Sequence, residues 1–307
     1  MRVLVTGASG FVGRAVVDAC LCAGHQVVTA SRQPVEATES RGPLLTTQSD
    51  AELRALCRDC DAVLHLGNMA HGDAGSLDAL LDYNVGLSER LYGAAAGARV
   101  QRFVYLSSSK VLGDESAVPL EVDAARAATD PYARSKALAE EALTLASVAP
   151  QTAGPALVVL RSPLVYGPEV RANFLRLLRW ATTRLWLPLG TAQSPRSYIA
   201  RANLASAFVA ALAAPSGCYH VADATPWSTA ELVALLRELD GQPRRLLRVP
   251  SWSMRLAAAS VGQSAVFQRL FRPLVLATAA SERRLNWHPQ PAHAYLEETL
   301  AWYLSQR

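Results

Sequence analysis

The chain has 307 residues, 50% of them apolar and 18% charged, which excludes a disordered or low-complexity polymer and leaves room for one large or two ordinary domains. The net charge of +4 suits a phosphorylated ligand, whereas the arginines form no basic run of the kind that marks a nucleic-acid partner. The longest uncharged apolar stretch, Leu204 to Ala214, is shorter than the ~20 residues needed to cross a bilayer, and a strand pattern starts at Met1 with no leader expected before it, so a cytoplasmic protein without a membrane partner is expected.

In chain order, Val3 to Val5 reads as a strand, Phe11 to Ala23 as a helix and Gln26 to Ala30 as a second strand. A helix over Asp50 to Asp59 and a strand over Ala62 to Leu66 follow, then a helix over Ser76 to Ala96 and a fourth strand over Arg102 to Leu106. A helix from Pro131 to Val148 and a fifth strand from Ala156 to Leu160 complete this run. Strands alternating with helices predict a Rossmann-like, doubly wound parallel sheet in an α/β fold. The rhythm changes after Pro163, where helices over Asn173 to Thr183, Arg201 to Ala213, Ser228 to Leu239 and Ala292 to Leu304 surround one short strand, Cys218 to Val221. Residues 1–162 are therefore expected to carry the cofactor, and residues 163–307 to form a smaller mixed α/β substrate domain. This boundary is soft, and interleaving across it is allowed.

The five cysteines include Cys20-x-Cys22 and Cys57-x-x-Cys60, but no second ligand pair is spaced for zinc, so small buried thiols are expected rather than a metal site.

Thr6-Gly7-Ala8-Ser9-Gly10-Phe11-Val12-Gly13 lies between the first strand and the first helix. In that context Gly7 permits a tight turn, Gly10 lets a pyrophosphate approach the backbone, and Gly13 lets the helix pack closely. Ser9, Phe11 and Val12 belong to the same cofactor loop, whose helix N-terminus offers N–H groups and partial positive charge. An acid after the second strand would hydrogen-bond the ribose of NAD. Here Ser31-Arg32 stands in its place and the next acid is Glu36, which favours NADP(H), with NAD(H) still possible.

Tyr132 and Lys136 are four residues apart in a helix that opens after Pro131, so their side chains share one face. An ammonium beside a phenol lowers the phenol's pKa from about 10, which would make Tyr132 an acid/base near neutral pH. Asn84 falls within an apolar stripe formed by Leu77, Leu80, Leu81, Leu87 and Leu91; a polar group facing the core has to be hydrogen-bonded, and Asn84 reads as structural support.

With the glycine loop and the Tyr/Lys pair together, the chain resembles the extended short-chain dehydrogenase/reductases, the branch holding nucleotide-sugar epimerases, dehydratases and reductases, along essentially its whole length. The resemblance implies the following roles. Ser107-Ser108-Ser109-Lys110-Val111-Leu112-Gly113 matches the family's serine motif, with Ser108 as the catalytic serine and Ser109 if the register slips by one; Leu112 replaces a common tyrosine. Lys136 also holds the cofactor's ribose. In Asp61 to Asn68, Leu66 and Gly67 line the cofactor, His65 packs beneath it and Asn68 departs from the usual small residue. Pro163 and Leu164 approach the nicotinamide.

Ser108, Ser109, Lys110, Asn173 and Arg196 are the candidate substrate contacts, with Asn173 and Arg196 on a nucleotide diphosphate and Arg269 or Arg272 as a second clamp. Trp287 and Trp302 match packing positions. Ser109-Lys110 occupies the place where a dehydratase carries Asp-Glu, which disfavours dehydration. The implied function is NADP(H)-dependent chemistry at C4 of a UDP-sugar, foremost reduction of a UDP-4-keto-6-deoxy-hexosamine for surface or lipopolysaccharide synthesis. An NAD-dependent 4-epimerase is the alternative, and a non-catalytic cofactor-binding sensor or scaffold ranks below both. The family also implies a homodimer built on the helices at Ser76–Ala96 and Tyr132–Val148.

Overall fold

The computed structural model describes residues 1–69, 77–149, 154–260, 267 and 270–307. The strands are β1 Arg2–Thr6, β2 Gln26–Ala30, β3 Glu39–Ser40, β4 Ala62–His65, β5 Arg102–Ser108 and β6 Ala156–Ser162, then β7 Leu164–Tyr166, β8 Pro195–Arg196, β9 Tyr198–Ala200, β10 Gly217–His220 and β11 Trp227–Ser228. Seven of these form a parallel sheet in the order β10-β6-β5-β4-β1-β2-β3. Val3 pairs with Val27 on one side and with Ala62 on the other. The winding therefore reverses between β1 and β4, and in such sheets ligands bind in the crevice at that reversal, beyond the carboxyl ends of the strands.

Near-continuous apolar strands such as Val3-Leu4-Val5 and Ala62-Val63-Leu64 are fully buried, as expected for a sheet covered on both faces. One face carries α1 (Phe11–Cys22), and the other carries α2 (Asp50–Leu56), α4 (Leu87–Gly97) and α5 (Pro131–Ser147). Between α2 and α4 lies α3 (Leu77–Leu81), joined to α4 by a π turn over Asp82–Gly86. The helix predicted over Ser76 to Ala96 is thus interrupted by a wide turn at Asn84, and Ser76 lies outside the described residues. The helix predicted over Asp50 to Asp59 ends early: Cys57 is its C-cap, and Asp59 adopts φ 57°, a left-handed conformation that cannot continue a helix.

The second half contributes α6 (Ala172–Ala181), α7 (Arg201–Ala211), α8 (Thr229–Leu239), α9 (Ser251–Ser260), α10 (Ala279–Leu285) and α11 (Ala292–Ser305). Two elements of the second half return to the main sheet, an interleaving that the soft boundary leaves open. The strand near Cys218 is not an element of a separate substrate lobe, because β10 pairs with β6, Tyr219 opposite Leu160, and becomes the seventh strand of the main sheet. Helix α7 likewise packs on α1 beneath that sheet. Both follow from burial: β6 is apolar on both faces and needs a further strand and a covering helix. A separate core forms among α6, α8 and α11, with Phe174, Leu178, Val233, Leu236 and Leu300 inside it. Trp287 is buried against the sheet layer, donating from Nε1 to Ser206 Oγ at 2.8 Å, and Trp302 packs partly buried on the second core, as packing positions should.

Asp223 ties the two halves together. Buried after β10, it accepts from the Tyr166 hydroxyl at 2.7 Å, from Asn203 Nδ2 at 2.7 Å and from the Ala200 N–H at 3.1 Å. Arg237 is fully buried on α8 and donates to the carbonyls of Ala181, Thr183, Leu185, Arg244 and Arg245 at 2.7–3.1 Å. One guanidinium thereby holds the C-terminal end of α6 and the chain beyond α8.

Candidate functional site

The glycine loop is built as a cradle. Gly7 adopts φ 68°, and a Cβ there would lie 2.9 Å from the Gly67 nitrogen. A Cβ on Gly13 would lie 2.1 Å from the Gly7 carbonyl oxygen, so the first turn of α1 closes on the loop only because both residues are glycine. Helix α1 starts at Gly10 without a side-chain cap and without an acid in its first turn. Its leading N–H groups and dipole are left for an anion. Ser9, Phe11 and Val12 are half-buried around this turn. These residues fit the diphosphate of a dinucleotide.

The walls of the crevice are locked by neutral hydrogen bonds. His65 is buried, with Nδ1 2.7 Å from Thr6 Oγ1 and Nε2 2.9 Å from Ser88 Oγ. Burial, reinforced by the Lys136 charge, pushes its pKa down to about 3, so the ring is uncharged. Thr6 Oγ1 also accepts from the Gly67 N–H at 3.2 Å, linking the glycine loop to Leu66-Gly67. Asn84, buried as its stripe position predicts, accepts from the Met69 N–H at 2.8 Å and donates to Met69 O and Ser135 Oγ, both at 3.0 Å. It fastens the 67–69 segment to the first turn of α5.

That turn carries Tyr132. Pro131 stands at its start and Asp130 caps it, with Oδ1 accepting from the Ala133 N–H at 2.8 Å. Asn68, the departure noted in the sequence, hydrogen-bonds the Tyr132 side chain. Lys136 is buried on the next turn, its Nζ 2.8 Å from Leu106 O, 3.1 Å from Tyr105 Oη and 4.5 Å from the Tyr105 ring centre. Burial pulls the ammonium's pKa down to about 7, against the attraction of Glu140.

The expected drop in the Tyr132 pKa is overturned. Burial pushes the phenol up to about 12, with Asn68 opposing the rise and Asp130 adding to it. The cause is burial of the phenol, and the Lys136 ammonium is engaged with Tyr105 Oη and Leu106 O.

Beneath this pair lies a buried network that the sequence reading missed. Glu140, one turn after Lys136, receives Arg161 Nε at 2.9 Å and Nη2 at 2.7 Å, Ser107 Oγ at 2.5 Å and Arg126 Nη2 at 3.3 Å. The signal was present in the spacing, since Glu140 repeats the Tyr132/Lys136 interval on the same helix face. The network also sorts the serine run. Ser107 is engaged with Glu140, Ser109 is buried, and Ser108 remains half-exposed, its Oγ accepting from the Lys110 N–H at 3.3 Å.

Other candidates stand around the crevice. Arg32 is exposed just after β2, close enough to Tyr83 for its charge to act on that phenol, and Ser31 is buried beside it. Lys110 forms ion pairs with Asp130 and, at 3.7 Å, with Asp114. Arg196 donates to Arg272 O at 2.6 Å and Asp114 O at 3.5 Å, so Lys110 and Arg196 meet around Asp114. Arg272 forms an ion pair with Glu115 at 2.6 Å, and Arg269 lies outside the described residues. Pro163 is buried and Leu164 exposed on β7, while Asn173 stands exposed in the first turn of α6. The five cysteines are free thiols.

Residues 3–222 match the NAD dependent epimerase/dehydratase family. The chain is 29% identical over 320 residues to a UDP-glucose 4-epimerase of Vibrio cholerae, covering 96% of this chain and 95% of that one. It is 33% identical to a 2-alkyl-3-oxoalkanoate reductase of Stenotrophomonas maltophilia, over 80% and 77% of the two chains. The fold matches a UDP-glucuronic acid 4-epimerase from Bacillus cereus in complex with NAD, with a TM-score of 0.78, 19% identity and 99% of both chains covered. With this match across most of its length, the chain belongs to the NAD dependent epimerase/dehydratase family, the extended short-chain dehydrogenase/reductase enzymes.

Proposed function

We propose that this enzyme reduces C4 of a UDP-4-keto-6-deoxy-hexosamine with NADPH, as a 4-ketoreductase of surface-polysaccharide synthesis. The observation that carries the reading is the placement of Tyr132 in the first turn of α5, one turn before the buried Lys136 and with the half-exposed Ser108 at the end of β5; burial keeps the Tyr132 phenol above the ordinary value. It stays protonated at neutral pH and is suited to donate a proton to the oxygen of a ketone being reduced. The cofactor, when bound, supplies the hydride. Ser108 donates a hydrogen bond to the C4 oxygen, and Lys136 steadies negative charge on Tyr132 after the proton has left. Arg196 and Asn173 hold the diphosphate, with Lys110 and Ser109 beside the sugar. Pro163, Leu164, Leu66 and Gly67 wall the nicotinamide, and Ser9, Phe11 and Val12 belong to the diphosphate cradle with the three glycines.

Arg32, exposed beyond β2 where an acid would bind an NAD ribose, supports NADP(H). Comparing the affinities of NADPH and NADH for wild type and Arg32→Asp tests this: wild type prefers NADPH, and the variant loses or reverses the preference. Equal wild-type affinities would remove the argument.

A second reading, an NAD-dependent UDP-sugar 4-epimerase, is favoured by the near-full-length likeness to the Vibrio cholerae enzyme. Denaturing the purified protein and identifying what it releases separates the two readings. Tightly held NAD together with UDP-glucose/UDP-galactose interconversion supports the epimerase; an enzyme that takes up NADPH and oxidises it only with a 4-keto sugar supports the reductase. We further propose a cytoplasmic homodimer joined through α4 and α5, supported by the exposed Leu138 and Leu145, seven residues apart on α5.

A further inference from the structure

Charge is divided along this chain in a way its modest total conceals. Residues 170–222 and 241–281 together contain twelve arginines and no aspartate, glutamate or lysine. Since the whole chain carries +4, the remainder carries −8. Arg196 and Arg201 of this set are engaged inside the fold, but Arg184, Arg248 and Arg255 are exposed.

The same two stretches supply a cluster of exposed apolar residues. Leu187 bridges Leu246, with the Leu187 N–H donating to Arg245 O at 3.0 Å and the Leu247 N–H to Leu187 O at 2.8 Å. In this short ladder Leu187 and Leu246 turn inward onto the second core. By the two-residue alternation of extended chain, Trp186 and Leu247 face outward. Leu185 is 70% exposed, Trp186 60%, and Trp252 and Leu256 each 62%. Trp252 and Leu256 lie one turn apart on one face of α9, which begins four residues after Leu247. Both strongly exposed tryptophans of the described residues therefore lie in these two adjoining stretches. Arg184, Arg244, Arg245, Arg248 and Arg255 lie in the same segments, with Arg245 Nη1 donating to Arg184 O at 2.6 Å. Nearby carboxylates are few: Glu238 pairs with Arg244 at 3.4 Å, and Asp240 accepts from Gln242.

We propose that this face docks on an anionic lipid bilayer, a peripheral contact on which the absence of a spanning helix among the described residues does not bear. The composition selects this occupant. Tryptophan favours the water–hydrocarbon boundary, leucines on a short helix enter the acyl edge, and arginine attracts anionic headgroups while its stem stays in apolar surroundings. A second copy of the chain would bring two like-charged arginine clusters together, which disfavours self-association through this face.

The test is co-sedimentation of the full chain with vesicles of phosphatidylcholine alone and of phosphatidylcholine mixed with phosphatidylglycerol, at low and high salt. Binding to the mixed vesicles, absent for the neutral ones and weakened by salt, is expected, together with a blue shift of tryptophan emission. Arginine near an anionic surface contributes roughly fivefold in affinity, so Arg248→Glu/Arg255→Glu is expected to reduce binding by at least about 25-fold. Trp186→Ser/Trp252→Ser is expected to abolish binding and the emission shift. None of these residues belongs to the catalytic or cofactor set, so circular dichroism and NADPH binding of both variants serve as the folding control. Absence of binding to mixed vesicles, or binding that both folded variants retain, would overturn the proposal. So would loss of an oligomer in Trp186→Ser/Trp252→Ser, which assigns the face to a second copy, or displacement of the vesicles by single-stranded RNA at equal salt sensitivity.

Discussion

Tyr132 and Asn68 form the contact on which the chemistry turns. Removing the phenolic oxygen by Tyr132→Phe takes away the proton donor, a group that contributes roughly 100- to 10,000-fold. Turnover is expected to fall by at least that factor while fluorescence titration still shows cofactor binding, because the glycine cradle is untouched. A variant that keeps its turnover would move the proton transfer elsewhere. Asn68 opposes the upward shift of Tyr132, so Asn68→Ala should raise that pKa further. In the oxidising direction, where the phenolate is needed, the pH–rate profile is then displaced to higher pH.

Two buried histidines set how the fold answers acid. His65 and His220 are pushed down to about 3 and about 4, in both cases chiefly by burial and against an ordinary value of 6.5. Between pH 6.5 and 4 the unfolded chain takes up protons that the folded chain refuses, so stability falls as pH falls through that window. Thermal melts across it should show a declining midpoint, and His220→Gln should flatten the decline by removing one of the two groups. A melting temperature constant from pH 6.5 to 4 would contradict both assignments.

At the scale of single elements, α8 shows what a side chain inside a helix can organise. Arg237→Met keeps the volume but takes this donor from five buried or partly buried carbonyls, of which only Arg245 O keeps another, the Leu187 N–H. With each unsatisfied buried group costing about 1–3 kcal/mol, a loss of at least about 3 kcal/mol is expected in urea unfolding, and Arg237→Lys should not restore it, because one ammonium cannot span five acceptors.

The same helix shows where sequence reading stops. Asn84 was identifiable because it interrupts an apolar stripe, and its contacts to Met69 and Ser135 follow from that position. Arg237 sits beside Val233 and Leu236 on an equally apolar stripe, so the same argument applied to it would have located a buried cation. The π turn at Asp82–Gly86 leaves no such mark, since helical spacing continues almost unchanged on either side of it. Strand β3, two residues long, had no pattern to find. The glycine loop, the Tyr132/Lys136 face and the elements of the first half were legible because each rests on local spacing. The Glu140–Arg161 pair joins residues 21 apart, and β10 joins a sheet that ends 55 residues earlier in the chain. Such partnerships are decided by which edge remains to be covered.

For the molecule as a whole, that last partnership reaches into how the protein is made. A nascent chain released up to residue 162 would present β6 as a bare, apolar edge, and α1 would lack the helix that buries its inner side. Bare edges of this kind pair with one another, so fragment 1–162 expressed alone should precipitate, whereas a fragment reaching past residue 222 should remain dispersed in gel filtration. During translation the sheet cannot close until β10 has cleared the ribosome. The unfinished barrier to aggregation therefore persists through more than two-thirds of synthesis, and a chaperone that shields strand edges has its longest hold on this protein in that interval.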